Sequence, residues 1–276
     1  MLYLRTSKKI GLIAGALLSA VFLYFVAHGS SANAVWPIAE GLDVRIDGNL
    51  RLDCSHLTDG YAMMSVANPS VNGMKVQVMY NGNQLLYDLK NTGEYEVLPL
   101  QFGPGNYSIS LFENVSGSKF ASGGKIDLSV TEMVPNAAFL VPNQYVNYTQ
   151  TSPSVLRSDE ITNDSMTDSQ KFEAICNLIA QEFSYDFVRA QTIAAGELPA
   201  VDMCYNNRSG ICQDLSAVTI SMLRAQGIPS RLLIGYADGY YHAWTMSVVD
   251  GQERFFDPTN AVGAINASNY VVERFY

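Results

Sequence analysis

The stretch Arg208-Ser-Gly-Ile-Cys-Gln-Asp-Leu-Ser216 decides the fold of the C-terminal half. Ser209-Gly210 closes a loop, and Leu215, Val218, Thr219, Met222 and Leu223 then recur at the three- and four-residue steps of a helix over about Cys212 to Gln226. Gly227 and Pro229 stop it, as a C-terminal glycine and a nearby proline do. Cys212 therefore stands in the first turn. There the unpaired backbone N–H groups and the positive end of the helix dipole favour a thiolate over a thiol. Its own N–H is placed to serve an oxyanion.

Working downstream, three strands are expected: Arg231 to Tyr236, Tyr241 to Val249 and Glu253 to Asp257, the last two joined through Asp250-Gly251. They carry Tyr240-Tyr-His-Ala-Trp244 and Arg254-Phe-Phe-Asp-Pro-Thr259. His242 is the only one of the three histidines in the C-terminal half. Cys212, His242 and Asp257 are the candidate catalytic residues: a thiol nucleophile, its base and a carboxylate that orients the base. Asp257 is expected on the neighbouring strand of the hairpin, facing His242 at about 5 Å. Asp214 reads as a cap of the helix, Arg231 as a structural partner, and Trp244 as core or cleft wall.

Working upstream, a helix begins near Asp168, with Phe172, Ile175, Cys176, Ile179 and Phe183 as its apolar stripe. Gly196 to Gly210 reads as a loop carrying Cys204.

Taken together, Gly210-Ile-Cys-Gln-Asp214, Leu223-Arg-Ala-Gln-Gly-Ile-Pro-Ser-Arg231, Gly235-Tyr236, His242-Ala-Trp244 and Phe256-Asp-Pro-Thr259 resemble the transglutaminase-like superfamily, in its exported bacterial branch. The resemblance covers roughly residues 160 to 260. It implies an α+β papain-like core of a helix packed on an antiparallel sheet. It also implies a Cys212-His242-Asp257 triad and acyl chemistry at amide bonds through a thioester. Tyr185-Asp186 and Asn269-Tyr-Val-Val-Glu-Arg-Phe-Tyr276 are similar to those proteins more weakly. Leu215 and Ser216 depart from a pattern in which an aromatic residue and alanine are common.

Residues 36 to 133 alternate as strands do. Met74, Val76, Val78 and Tyr80 run into Asn81-Gly82, a hairpin signal, and further short strands follow between Gly and Pro turns. The spacing suggests an immunoglobulin-like β-sandwich. His56 reads as a turn or surface residue and Cys54 as strand core. From Pro135 to Thr167 the composition turns to Pro, Asn, Ser and Thr, and Val141-Pro-Asn-Gln-Tyr-Val-Asn-Tyr148 reads as an extended connector laid over the second domain. The expected division is 1–34, a signal peptide or membrane anchor; 35–133, the β-sandwich; and 134–276, the catalytic domain with its connector. Arg5, Lys8 and Lys9, the uncharged run Ile10 to Ala27 and the small-residue site Ala32-Asn-Ala34 carry the first of these. The 18-residue run is also long enough for an uncleaved anchor.

Those first 34 residues hold three of the 17 Lys and Arg and none of the 26 Asp and Glu. Residues 35–276 therefore carry 14 basic against 26 acidic side chains, a net of −12. That argues against nucleic acid and against charge-driven docking on an anionic membrane. Four cysteines are too few for a disulfide scaffold, although Cys204 could bridge to Cys176 or to Cys212. No zinc-ligand spacing is present, and neither metal nor cofactor is expected. The leading expectation is an exported thiol enzyme acting on peptide, protein or cell-wall amides, hydrolysis slightly favoured over cross-linking. The alternative is a non-catalytic adhesion or wall-binding protein that uses the same fold as a scaffold.

Overall fold

The computed structural model describes residues 34–276, which leaves the expected export segment outside the described residues. Among the described residues, no helix is long and apolar enough to cross a membrane.

Eight strands come first: β1 (Val44–Asp47), β2 (Leu50–Asp53), β3 (Tyr61–Val66), β4 (Met74–Tyr80), β5 (Asn83–Leu89), β6 (Glu96–Pro99), β7 (Gly105–Ser116) and β8 (Lys119–Val130). They form two four-stranded antiparallel sheets, ordered β1-β2-β3-β6 and β5-β4-β7-β8. Asn81 and Gly82 both have positive φ, 47° and 84°, as the tight turn between β4 and β5 requires. Leu50 and Leu52 of one sheet and Val76, Val78, Ile109 and Leu111 of the other bury into one cluster. Gly124 lets β8 approach β1: a Cβ there would sit 2.0 Å from the Asp47 carbonyl oxygen. Cys54 is buried at the end of β2, as its alternation suggests. His56 lies in a turn, half-buried, with its ring stacked on Tyr61 at 4.9 Å and Nδ1 hydrogen-bonded with Asp59.

The stretch 141–148, expected as an extended connector, has neither helix nor strand and packs down on the chain, whereas a helix follows within the Pro135–Thr167 segment. Val141, Val146 and Tyr148 are buried, and the Asn143 carboxamide folds the loop by accepting from the backbone N–H groups of Tyr145 (2.8 Å) and Val146 (2.9 Å). Helix α1 (Pro153–Ile161) follows. Its proline occupies a first-turn position, where the missing N–H costs no helical hydrogen bond. A proline among Ser and Thr therefore looks like loop in composition while it starts a helix.

Helix α2 (Asp168–Glu182) begins at a capping box between Thr167 and Gln170 and carries the expected buried stripe. After β9 (Ser184–Tyr185) come α3 (Phe187–Thr192) and α4 (Val201–Asn207), then β10 (Ser209–Gly210), which pairs in parallel with β9. Cys204 thus lies on a helix rather than in a loop. At seven residues α4 is too short to display a helical period.

Helix α5 (Cys212–Ala225) is the centre of this half, and every residue from Asp214 to Ala225 is buried. It contacts α1, α2 and α4 as well as the strands β11 (Ser230–Ala237) and β12 (Tyr240–Val249). A helix enclosed on all sides needs no polar face, which is why its stripe is so broad. β13 (Gln252–Phe256), α6 (Pro258–Ala261) and β14 (Tyr270–Phe275) complete an antiparallel sheet ordered β13-β12-β11-β14. At the C-terminal end of α5, Arg224 is fully buried. It donates to the carbonyl oxygens of Ser230 (2.8 and 2.6 Å), Val141 (2.6 Å) and Tyr276 (3.2 Å). Burial lowers its pKa to about 10.

Candidate active site

The first hydrogen bond inside α5 runs from the Leu215 N–H to the Ile211 carbonyl, so the N–H groups of Cys212, Gln213 and Asp214 have no partner within the helix. Asp214 anchors this end. Its carboxylate accepts from the backbone N–H groups of Ile211 (3.2 Å) and Ala200 (3.0 Å) and from Arg189 Nε (2.8 Å). With every lone pair directed into the protein, Asp214 positions the helix start and stays out of the chemistry. Gly210 is required just before it: a Cβ there would lie 2.5 Å from the Cys204 sulfur and 2.8 Å from the Asp214 Cβ. Cys212 is half-buried, while Cys54, Cys176 and Cys204 are buried. All four are free, so neither bridge considered for Cys204 is present. Burial pushes the Cys176 and Cys204 thiols up, away from the thiolate form.

His242 sits on β12, opposite Gly235 of β11. Its Nε2 lies 2.9 Å from Asp257 Oδ2, and the ring lines the same cleft as Cys212. With Nε2 committed to Asp257, Nδ1 is the nitrogen left for the sulfur. Burial alone would lower the imidazole pKa. The hydrogen bond to Asp257 and the neighbouring Cys212 and Asp257 groups overcome that and raise it to about 9. That direction favours the imidazolium at neutral pH. For Asp257, burial would raise the carboxyl pKa, but the His242 contact and the donors around it hold it below the usual carboxylate value.

Asp257 reaches His242 by a different route from the expected one. The β12–β13 ladder runs from Val249–Gln252 to Thr245–Phe256 and ends there. Continued, it would set residue 257 opposite Trp244, and Pro258 has no N–H with which to continue it. Asp257 is instead the N-cap of α6, where Oδ1 accepts from the N–H groups of Thr259 (2.9 Å) and Asn260 (3.4 Å). Its Oδ2 accepts from both His242 and the Tyr270 hydroxyl, the latter at 2.8 Å.

Tyr270 is the one contributor the motifs did not single out. Its only signal was the weaker resemblance of the closing segment. Its ring lies edge-on to Trp244 at 5.0 Å, and Trp244 stacks on His242 at 5.9 Å. This aromatic wall shields the His242–Asp257 pair from water. Trp244 is core, packed behind His242 rather than lining the cleft. Arg231 is structural: its guanidinium lies over Phe139 at 4.4 Å and donates to Asn136.

Cys212 and His242 lie where two lobes of one cleft meet. One lobe, about 720 Å³, is walled by Phe187, Tyr240 and Ile265. The other, about 670 Å³, is walled by Tyr145, Glu197, Gln213 and Arg274. Both are lined by Tyr185, Ala190 and Tyr241 besides Cys212 and His242. Among the described residues, no group of three His, Cys, Asp or Glu side chains is placed to hold a metal ion.

Residues 157–257 match the family model of the transglutaminase-like superfamily. The chain contains a transglutaminase-like domain. That domain includes Cys212, His242 and Asp257, whereas Tyr270 and Arg274 lie outside the matched residues. Three solved structures share parts of the chain's course. A candidate cysteine protease from Cytophaga hutchinsonii is 16% identical over 78% of this chain and 75% of that one, with a TM-score of 0.41. The periplasmic domain of TgpA from Pseudomonas aeruginosa, solved with ethylmercury, is 17% identical over 86% and 93%, with a TM-score of 0.38. Red sea bream transglutaminase is 12% identical over 79% and 52%, with a TM-score of 0.28. No curated protein sequence matches the chain. The matched region is mixed α and β with an antiparallel sheet.

Proposed function

We propose that this chain is an exported thiol enzyme that hydrolyses or transfers acyl groups at peptide, protein or cell-wall amides through a thioester on Cys212. The observation that carries this is the His242–Asp257 pair beside Cys212 at the junction of two cleft lobes, with the sulfur at a helix start. The thiolate attacks the amide carbonyl carbon, and the carbonyl electrons move to oxygen beside the Cys212 N–H. The tetrahedral adduct collapses, the C–N bond breaks, and His242 gives its proton to the departing amine. Water then attacks the thioester while His242 takes a proton from it. The C–S bond breaks, acid is released and the thiolate returns. Asp257 keeps the ring in place and stabilises its charged form throughout. An amine in place of water would give a cross-link. The cleft is open on both sides of the sulfur, which favours water.

In this reading residues 35–133 form an immunoglobulin-like sandwich domain, residues 134–276 the catalytic domain, and residues 1–34 the export segment. The acidic balance of the exported part suits a substrate that is neither nucleic acid nor an anionic membrane surface. The test is incubation of wild type and Cys212→Ala with cell-wall fragments, casein and short glutamine peptides, quenched in acid for mass spectrometry. An acyl adduct on Cys212, with product only from wild type, supports the enzyme. Equal and negligible turnover by both proteins across the panel would leave the scaffold alternative standing.

A further inference from the structure

The two lobes differ in charge. In the first, Asp238 is the carboxylate, and it accepts from the N–H groups of Ser268 (2.9 Å) and Asn269 (2.9 Å). Around it the wall is aromatic and apolar. In the second, Glu197 is tied to Arg189 at 2.7 Å, leaving Arg274 as the uncompensated charge. Arg45, Arg157, Arg189, Arg208, Arg231 and Arg254 each pair with a carboxylate, and Arg224 is saturated by carbonyl groups. Arg274 meets only phenols: it donates to the Tyr241 hydroxyl, lies over the Tyr241 ring at 5.9 Å and neighbours Tyr145 and Tyr276. It is exposed. An unpaired guanidinium, held by an aromatic neighbour that itself lines the cleft, is a ready receptor for a carboxylate. In a chain this acidic, evolution of a general positive surface is not the reason for it.

The register fixes where that receptor lies relative to the sulfur. Arg274 of β14 pairs with Ile234 of β11, and Ile234 pairs with Ala243 of β12, next to His242. Ile234 and Ala243 line the same lobe. Two strand spacings, about 10 Å, separate β14 from β12. We propose that Arg274 determines specificity by binding a carboxylate of the substrate in this lobe, several bonds from the carbonyl that Cys212 attacks. The substrate is then an acidic peptide, its anion being either a chain-terminal carboxylate or an Asp or Glu side chain. This rests on Cys212 being the nucleophile.

The test separates the two claims. Bromoacetyl-glycine, bromoacetyl-diglycine and bromoacetyl-triglycine, each as free acid and as amide, alkylate Cys212 with loss of bromide. Bromoacetyl-Glu-amide against bromoacetyl-Gln-amide examines the side-chain source. With wild type the acid is expected to react about five- to tenfold faster than its amide at one chain length, or with the Glu probe, and the responding arm identifies the source. Arg274→Ala removes that preference and Arg274→Lys keeps part of it, whereas Arg157→Ala, remote from the cleft, retains it in full. Rapid alkylation with no acid preference in any arm overturns the role of Arg274 and leaves Cys212 untouched. A preference that survives Arg274→Ala, or a fall of both rates by one factor, also overturns it. Slow labelling by every probe would instead sink the nucleophile.

Discussion

The two ends of α5 use buried polar groups in opposite ways. At the C-terminal end, Arg224 is fully enclosed and gives its N–H groups to the carbonyls of Val141, Ser230 and Tyr276, so that the connector, β11 and the chain end are fastened together. At the N-terminal end, Asp214 fastens the helix just as firmly to Ile211, Ala200 and Arg189, yet the sulfur two residues earlier faces a cleft. The difference shows how one buried helix can be fixed at both ends and still present a side chain to a cleft. Closing the end around Asp214 lets the thiol at Cys212 stay open without loosening the fold.

The largest expected effect sharpens this contrast. Cys212→Ala should lower turnover by about 10⁴-fold or more, while the urea midpoint stays near that of wild type, because the side chain is small and half-exposed. Arg224→Met should do the reverse. Leaving the Ser230, Val141 and Tyr276 carbonyls without their donor should cost about 3 kcal/mol in urea unfolding, with alkylation of Cys212 in the still-folded protein close to wild type. If Arg224→Met slowed alkylation as much as it lowered stability, the two ends would not be separable.

The pH profile gives a smaller effect with a definite sign. The folded His242 pKa is raised to about 9 from 6.5, so the ring binds more protons in the native state between those values. Its stabilising contribution is complete below about 6.5 and is lost as pH rises through 9. Melting temperatures of wild type and His242→Gln should therefore converge in that window. Turnover should fall over the same range, since the amine needs the imidazolium proton, whereas alkylation, which needs only thiolate, should not fall. The smallest effect belongs to Tyr270→Phe, which removes one of four donors to Asp257. A loss of about threefold in turnover is expected, with the alkaline limb moved by a few tenths of a pH unit.

Much of this site was legible from residue order. A glycine before Cys212, the apolar steps after it and the single downstream histidine were enough to single out Cys212 and His242, which the fold brings to one cleft. Asp257 was found for an incomplete reason. A hairpin brings it close, but the ladder stops at Phe256, and it is Pro258 and the N-cap of α6 that aim the carboxylate. Tyr270 and Arg274 come from a strand that adds beside β11 only in the folded sheet, so no local spacing could tie them to Cys212. The helices α1 and α4 were hidden for two separate reasons: a proline-led start among loop-forming residues, and a length too short for a period to show. For β4 and β5 alternation and the Asn81-Gly82 turn sufficed, because each buries one face and leaves the other more open, whereas β3 is buried throughout and shows no alternation.

The most direct test is the second-order rate of Cys212 alkylation by iodoacetamide at pH 7, in wild type and in His242→Ala. An imidazolium held against the sulfur predicts a rate well above that of an unstructured cysteine peptide, falling about 10- to 100-fold in the variant. Equal, slow labelling of both proteins would contradict it.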